Sequence, residues 1–202
     1  MHPLLAYTRL HRAPITYDVS FTPSARTVLD RATHSAIPAH TLAQPATDPP
    51  TPAGARLVLR SHKFPWPVIV SASHTTHGSA SGSPSRARFT VGPPSSHGHG
   101  SGSRPGTSDG AAASISNLDV LYAVHHTLMV PVTPEEWDAL GHGSKAQQKV
   151  TRAYERRCRQ MGGWEGGVRR IDWLGEKTWL IGVEVDKAAG HGGAGKLVFG
   201  RA

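Results

Sequence analysis

From His74 to Ala113 the chain reads HTTHGSASGSPSRARFTVGPPSSHGHGSGSRPGTSDGAAA, a run made almost wholly of Gly, Ser, Pro, Thr, His and Ala. Ordering a backbone costs about 1–2 kcal/mol per residue, and a segment this poor in apolar side chains has little burial to offset that cost. The composition predicts a long disordered, flexible insertion, with Arg88-Phe89-Thr90-Val91 as an island able to form a transient strand. The flanks, 1–73 and 114–202, are predicted to fold together as a single domain. Without the insertion about 160 residues remain, enough to bury roughly two-thirds of the surface of the unfolded chain.

In the first flank, residues 1–54 are rich in Pro and Ala and weakly periodic. Ile15-Thr16-Tyr17-Asp18-Val19 alternates and predicts a short strand. Thr41 to Pro52, TLAQPATDPPTP, holds too many prolines for a helix interior and predicts an extended strap across the core. Ala55 to Arg60 alternates again, and Val68-Ile69-Val70 is β-branched. With His62-Lys63-Phe64-Pro65-Trp66-Pro67 between them, they predict two strands joined by a proline-punctuated turn.

The second flank opens with helix signals. Ser116 and Asp119 fit a capping box, followed by a stripe of Leu118, Leu121, Tyr122, His125, Leu128 and Met129 up to Pro131. Thr133-Pro134-Glu135-Glu136 is a second capping box, opening a helix that carries Trp137 and Leu140 and ends at Gly141. Ser144 with Gln147 starts a third, whose stripe is Ala146, Val150, Ala153, Tyr154, Arg157, Cys158 and Met161, closed by Gly162-Gly163. Val168–Leu174 and Thr178–Val185, joined by Gly175-Glu176-Lys177, predict a β-hairpin. Leu197-Val198-Phe199 predicts an edge strand or a frayed end after a Gly-rich stretch. The expected fold class is α+β: an antiparallel sheet with about three helices packed on one face.

The net charge of +8 and a pI near 10.1 direct attention to anionic partners. A single cysteine, Cys158, excludes an intramolecular disulfide framework. No apolar run approaches the roughly 20 residues of a membrane-spanning helix, so no membrane insertion is expected. The apolar patch Leu4-Leu5-Ala6 is shorter than the about 7–15 residues of a secretory signal. The expectation is an intracellular protein, cytoplasmic or nuclear; with Asp18 as the first acidic residue, a transit peptide is the alternative.

Several of these stretches occur together, in the same order, in a known family. Pro14–Val19, Leu42–Pro50, Leu57–Arg60, Phe64–Val70, Ile115–Leu121, Pro131–Thr133, Ala153–Arg159 and Arg170–Leu174 give the chain its resemblance to a fungal family, the domain of unknown function 6699. The departure is the insertion after Val70, which is much longer than in related chains. The resemblance implies a shared architecture and a fungal origin, and it implies no reaction.

Candidate chemistry is sparse. There is no G-x-S-x-G elbow, P-loop, H-E-x-x-H or paired C-x-x-C, so no catalytic residue and no cofactor is read. His97 and His99, with His74 and His77 nearby, lie in the Gly/Ser-rich run, which lacks the fixed geometry a metal site demands, so no metal is expected. His125 reads as a hydrogen-bonded core histidine and Cys158 as a buried structural thiol. The leading candidate is a basic helix face, Lys145, Lys149, Arg152, Arg156 and Arg159, at 3–4 spacing. Arg157, Arg170 and Asp172 are expected to form a structural network, Arg170 and Asp172 sharing one face of a strand; a ligand or enzyme pocket there is a third reading. The function expected first is a non-enzymatic interaction domain with a protein partner. The alternative is nucleic-acid or polyanion binding through the basic face.

Overall fold

Alternating burial defines the first strand. In β1, Ile15–Asp18, the side chains of Ile15 and Tyr17 are buried while Thr16 and Asp18 are half-exposed. The computed structural model describes residues 1–72, 114–185 and 194–201. The predicted insertion at 74–113 lies outside the described residues, as does most of the Gly-rich stretch before Leu197. The described residues belong to one compact unit, 1–73 with 112–202.

After β1 come β2 (Val28–Asp30), a one-turn helix α1 (Ala39–Leu42), β3 (Leu57–Arg60) and β4 (Val68–Val70). Three helices follow, α2 (Asn117–Met129), α3 (Pro134–Asp138) and α4 (Lys145–Met161), then β5 (Trp179–Val185) and β6 (Ala194–Gly200). The strands form one sheet in the order β2-β1-β5-β6-β3-β4. Every pairing is antiparallel except β3 with β6, so the sheet is mixed and the fold is α+β. The parallel pair arises because β6 enters the middle of the sheet and pairs with β5 on one side and β3 on the other.

Two expectations are corrected here. Leu197–Phe199 is no edge or fray: Leu197 and Phe199 are buried on the inward side of a central strand. Val168–Leu174 is not a hairpin arm. Its second half, Arg170–Leu174, is a 3-10 helix, and β5 pairs with β1 and β6 instead. The buried apolar pair in that segment, Ile171 and Leu174, is spaced by three, which is a helical and not a strand spacing. Asp172 also accepts a hydrogen bond from the Arg169 N–H at 2.8 Å, capping the turn.

All three predicted caps form. Ser116 and Thr133 each make a reciprocal capping box, and Ser144 accepts from the Gln147 N–H at 3.1 Å. The buried face of α2 is Val120, Leu121, Val124, His125 and Leu128, rotated from the expected stripe so that Tyr122 is half-exposed. Val120, Leu121, Val124 and Leu128 join the inward side chains of the sheet in a common core. On α4 the buried residues are Gln147, Val150, Ala153 and Cys158; Ala146 and Met161, expected inside, are exposed. The helix packs against the Arg170–Leu174 turn and leaves its opposite side to solvent. The predicted strap is partly realised: Pro45 and Pro52 bridge to Ser116 and Ser114, and Ala46 is fully buried between them.

A basic groove beside helix α4

Helix α4 carries cations on the side that its core-facing residues leave free. Val150, Ala153 and Cys158 point inward, so Lys145, Lys149, Arg152, Arg156 and Arg159 line up outside. Four of these five border one groove of about 590 Å³. Its opposite wall comes from elsewhere in the chain: Lys63 from the β3–β4 connection, Gly175, Glu176 and Lys177 before β5, and Arg201 after β6. Seven cationic side chains therefore border the groove, with Glu176 as its one carboxylate.

Glu176 serves two of the arginines, accepting from Arg156 at 3.0 Å and from Arg201 at 2.6 Å. Arg159 stands outside the groove and pairs with Glu155 one turn back, at 3.0 Å. Among the described residues, Lys63, Lys145, Lys149, Arg152 and Lys177 make no ion pair. Lys63 is half-buried, and its pKa is pushed down by burial and then by the nearby Lys177 ammonium, with Lys149 adding to the effect. Seven cations gathered around one carboxylate carry a like-charge repulsion.

Lys63, Lys177 and Arg201 have no counterpart in the sequence-level reading. Lys63 and Lys177 sit in the predicted turns HKFPWP and GEK; Lys177 is exposed and Lys63 half-buried. Their position opposite α4 depends on the sheet order, which places β3 next to β6.

The expected network of Arg157, Arg170 and Asp172 divides in two. Arg157 forks onto Asp172, Nε to Oδ1 at 2.9 Å and Nη2 to Oδ2 at 3.0 Å, and donates to the Gly167 carbonyl at 2.9 Å. The hydrogen bond to Asp172 raises the Arg157 pKa against the opposing effect of burial. Arg170 joins a different group. It donates to Glu136 Oε1 at 2.6 Å and lies over the Trp66 ring at 4.7 Å; Trp66 Nε1 donates to the same oxygen at 2.5 Å. The separation follows from the 3-10 helix, where residues two apart point to different sides. A cleft of about 460 Å³ does border Arg157 and Asp172, but their polar atoms are turned to each other and to the backbone.

His125 is a hydrogen-bonded core residue, with Nδ1 2.9 Å from the Val19 carbonyl oxygen and Nε2 3.3 Å from Thr22 Oγ1. Cys158 is a buried free thiol. His74, His77, His97 and His99 lie outside the described residues; among the described residues no group of three His, Cys, Asp or Glu is placed to hold a metal ion. Among them, too, no helix is long and apolar enough to cross a membrane.

The model of a family of unknown function, DUF6699, matches residues 15–192. No curated protein and no solved structure matches the chain.

Proposed function

We propose, for a chain that belongs to DUF6699 and so inherits no assigned activity, that it is a non-enzymatic interaction domain whose basic groove docks an acidic segment of a partner protein. The observation that carries this reading is the convergence of seven cations from four parts of the chain on one concave surface. A solvated helix face needs cations on the helix alone. Here Lys63, Lys177 and Arg201 add charge from the opposite wall, which concentrates positive potential inside the groove. The walls focus the field, and steering by such a field raises association rates more than affinity. A free buried thiol as the single cysteine fits an intracellular, cytoplasmic or nuclear setting.

Nucleic acid is the second reading, favoured by the net charge of +8. Against single strands stands the absence of aromatic side chains among the residues lining the groove. Trp164, which follows α4, packs against Tyr154, with ring centroids 5.6 Å apart.

The test is fluorescence anisotropy of the full chain with a labelled Glu-rich peptide and with DNA and RNA oligonucleotides of matched net charge, over a range of salt. The peptide should bind at low salt and weaken as salt rises. Lys149→Glu with Arg152→Glu should weaken it about tenfold or more, with the far-UV spectrum unchanged. Tighter binding of the oligonucleotides, with a steep log-linear salt dependence, would move the function to nucleic acid. No binding by any probe would return the groove to the status of a solvated surface.

A further inference from the structure

The cations of the groove are unequally neutralised. Glu176 neutralises Arg156 and Arg201, but no carboxylate reaches Lys63, Lys149 or Lys177 among the described residues. These three lysines come from three separate parts of the chain: the β3–β4 connection, helix α4 and the turn before β5. Gly175 lies between two of them. A Cβ there would stand 3.4 Å from Lys149 Cε, so the Lys149 side chain runs close over the turn that carries Lys177.

Resting on the interaction reading above, we infer that Lys63, Lys149 and Lys177 form a seat for a phosphate dianion and that the docked acidic segment is a phosphorylated one. The charge argument favours phosphate over carboxylate. A carboxylate brings one negative charge and two oxygens. A phosphomonoester brings roughly −1.5 to −2 and three terminal oxygens, one for each ammonium. Ammonium groups act as point charges on flexible stems and need no planar fork, so three of them can close on a tetrahedral anion. Burial first, and then the like charges of Lys177 and Lys149, lower the Lys63 pKa, which fits ammonium groups gathered along one groove. Arg152 and Lys145, also without ion pairs, remain at the groove wall for the acidic residues that flank the phosphate.

The experiment uses the full chain and three labelled peptides of one sequence, a Glu-rich segment whose central position is Ser, phosphoserine or Glu. Anisotropy titrations at a fixed salt concentration should rank phosphoserine about tenfold or more tighter than Glu, with Ser weakest. Lys63→Gln and, separately, the exposed Lys177→Gln should erase the advantage of phosphoserine. Each should also weaken the Glu peptide, since both lysines border the groove, but by less than it weakens the phosphoserine peptide, and an unchanged far-UV spectrum shows that the fold survives. Inorganic pyrophosphate should compete with the phosphopeptide in the wild type and lose that ability in Lys177→Gln. Equal affinity for the phosphoserine and Glu peptides overturns the phosphate seat and leaves the docking of an acidic segment standing. An unchanged phosphoserine advantage in both Lys variants overturns the seat at these residues. Failure of all three peptides to bind removes both.

Discussion

Asp172 is 3% exposed, and its charge is held by using both oxygens: Arg157 Nε donates to Oδ1, while Arg157 Nη2 and the Arg169 N–H donate to Oδ2. A buried ion pair contributes little net stability compared with apolar packing, but removing one partner leaves the other charge stranded at a cost of about 3–5 kcal/mol. Arg157→Met is therefore expected to lower the unfolding free energy in urea by about that amount, and adding Asp172→Leu should restore a large part. A double variant no better than the single would mean that the stranded charge is not what the single variant loses. Glu136 provides the pH counterpart. Burial pushes its pKa up, and hydrogen bonds from Arg170, the Thr133 N–H and Trp66 outweigh this and hold it below the usual value of 4.5. A carboxyl lowered in this way contributes stability above its unfolded pKa, and the contribution is lost as pH falls through the folded one. Between about pH 6 and pH 3 the wild type should accordingly lose more melting temperature than Glu136→Gln does. The pairing of Arg157 with Asp172 was legible in the sequence because a buried arginine on an apolar helix stripe needs an acid. The partner of Arg170 was not, because reading Val168–Leu174 as a strand put Arg170 and Asp172 on the same side.

The elements most legible in the sequence were those that announce their own ends. Ser116, Thr133 and Ser144 begin their helices because each side chain satisfies an N–H that the first turn leaves open, a local event that no distant contact has to arrange. Ser116→Ala is expected to cost about 1 kcal/mol, read as a shift of the urea midpoint with unchanged slope. β1 and β3 were legible from their alternation, β4 from its β-branched run and β5 as the second arm of the expected hairpin; β2, three residues long and preceded by no pattern, was missed. Which strand pairs with which is decided over long separations. β5 carries a bulge between Leu180 and Gly182, and there the N-terminal segment crosses so closely that a Cβ on Gly182 would lie 2.9 Å from the Leu5 carbonyl oxygen and 2.9 Å from Tyr7 Cβ. Gly182 also has a φ of 144°, a conformation L side chains rarely adopt. Gly182→Ala should therefore destabilise by several times the roughly 0.5–1 kcal/mol swing of an ordinary Gly/Ala exchange, read in the same urea assay. A cost within that ordinary range would mean that the N-terminal segment yields readily and is not fixed on β5.

At the scale of the molecule, the groove and the long insertion pose opposite problems. Half of the groove was visible in the sequence, because Lys145, Lys149, Arg152 and Arg156 share one helix. The other half required Lys63, Lys177 and Arg201 to be brought across from the sheet by the adjacency of β3, β6 and β5, which nothing in the local pattern encodes. The insertion at 74–113 is read from composition alone, and composition makes a quantitative claim. If these residues contribute no burial to the fold, their thermodynamic effect is the entropy of closing a loop, which changes by about 0.6 kcal/mol for each doubling of length. Replacing residues 76–111 by a Gly-Ser linker of about ten residues shortens the loop roughly threefold, so the fold should gain about 1 kcal/mol, or a rise in melting temperature of about 2–4 °C. Acidic-peptide binding in the groove should not change, since its seven cations all come from the described residues outside that segment. A large loss of melting temperature, or loss of cooperative unfolding, would show that part of the insertion packs on the domain. Its composition would then describe a docked arm in place of a spacer, with Arg88-Phe89-Thr90-Val91 as the first stretch to substitute.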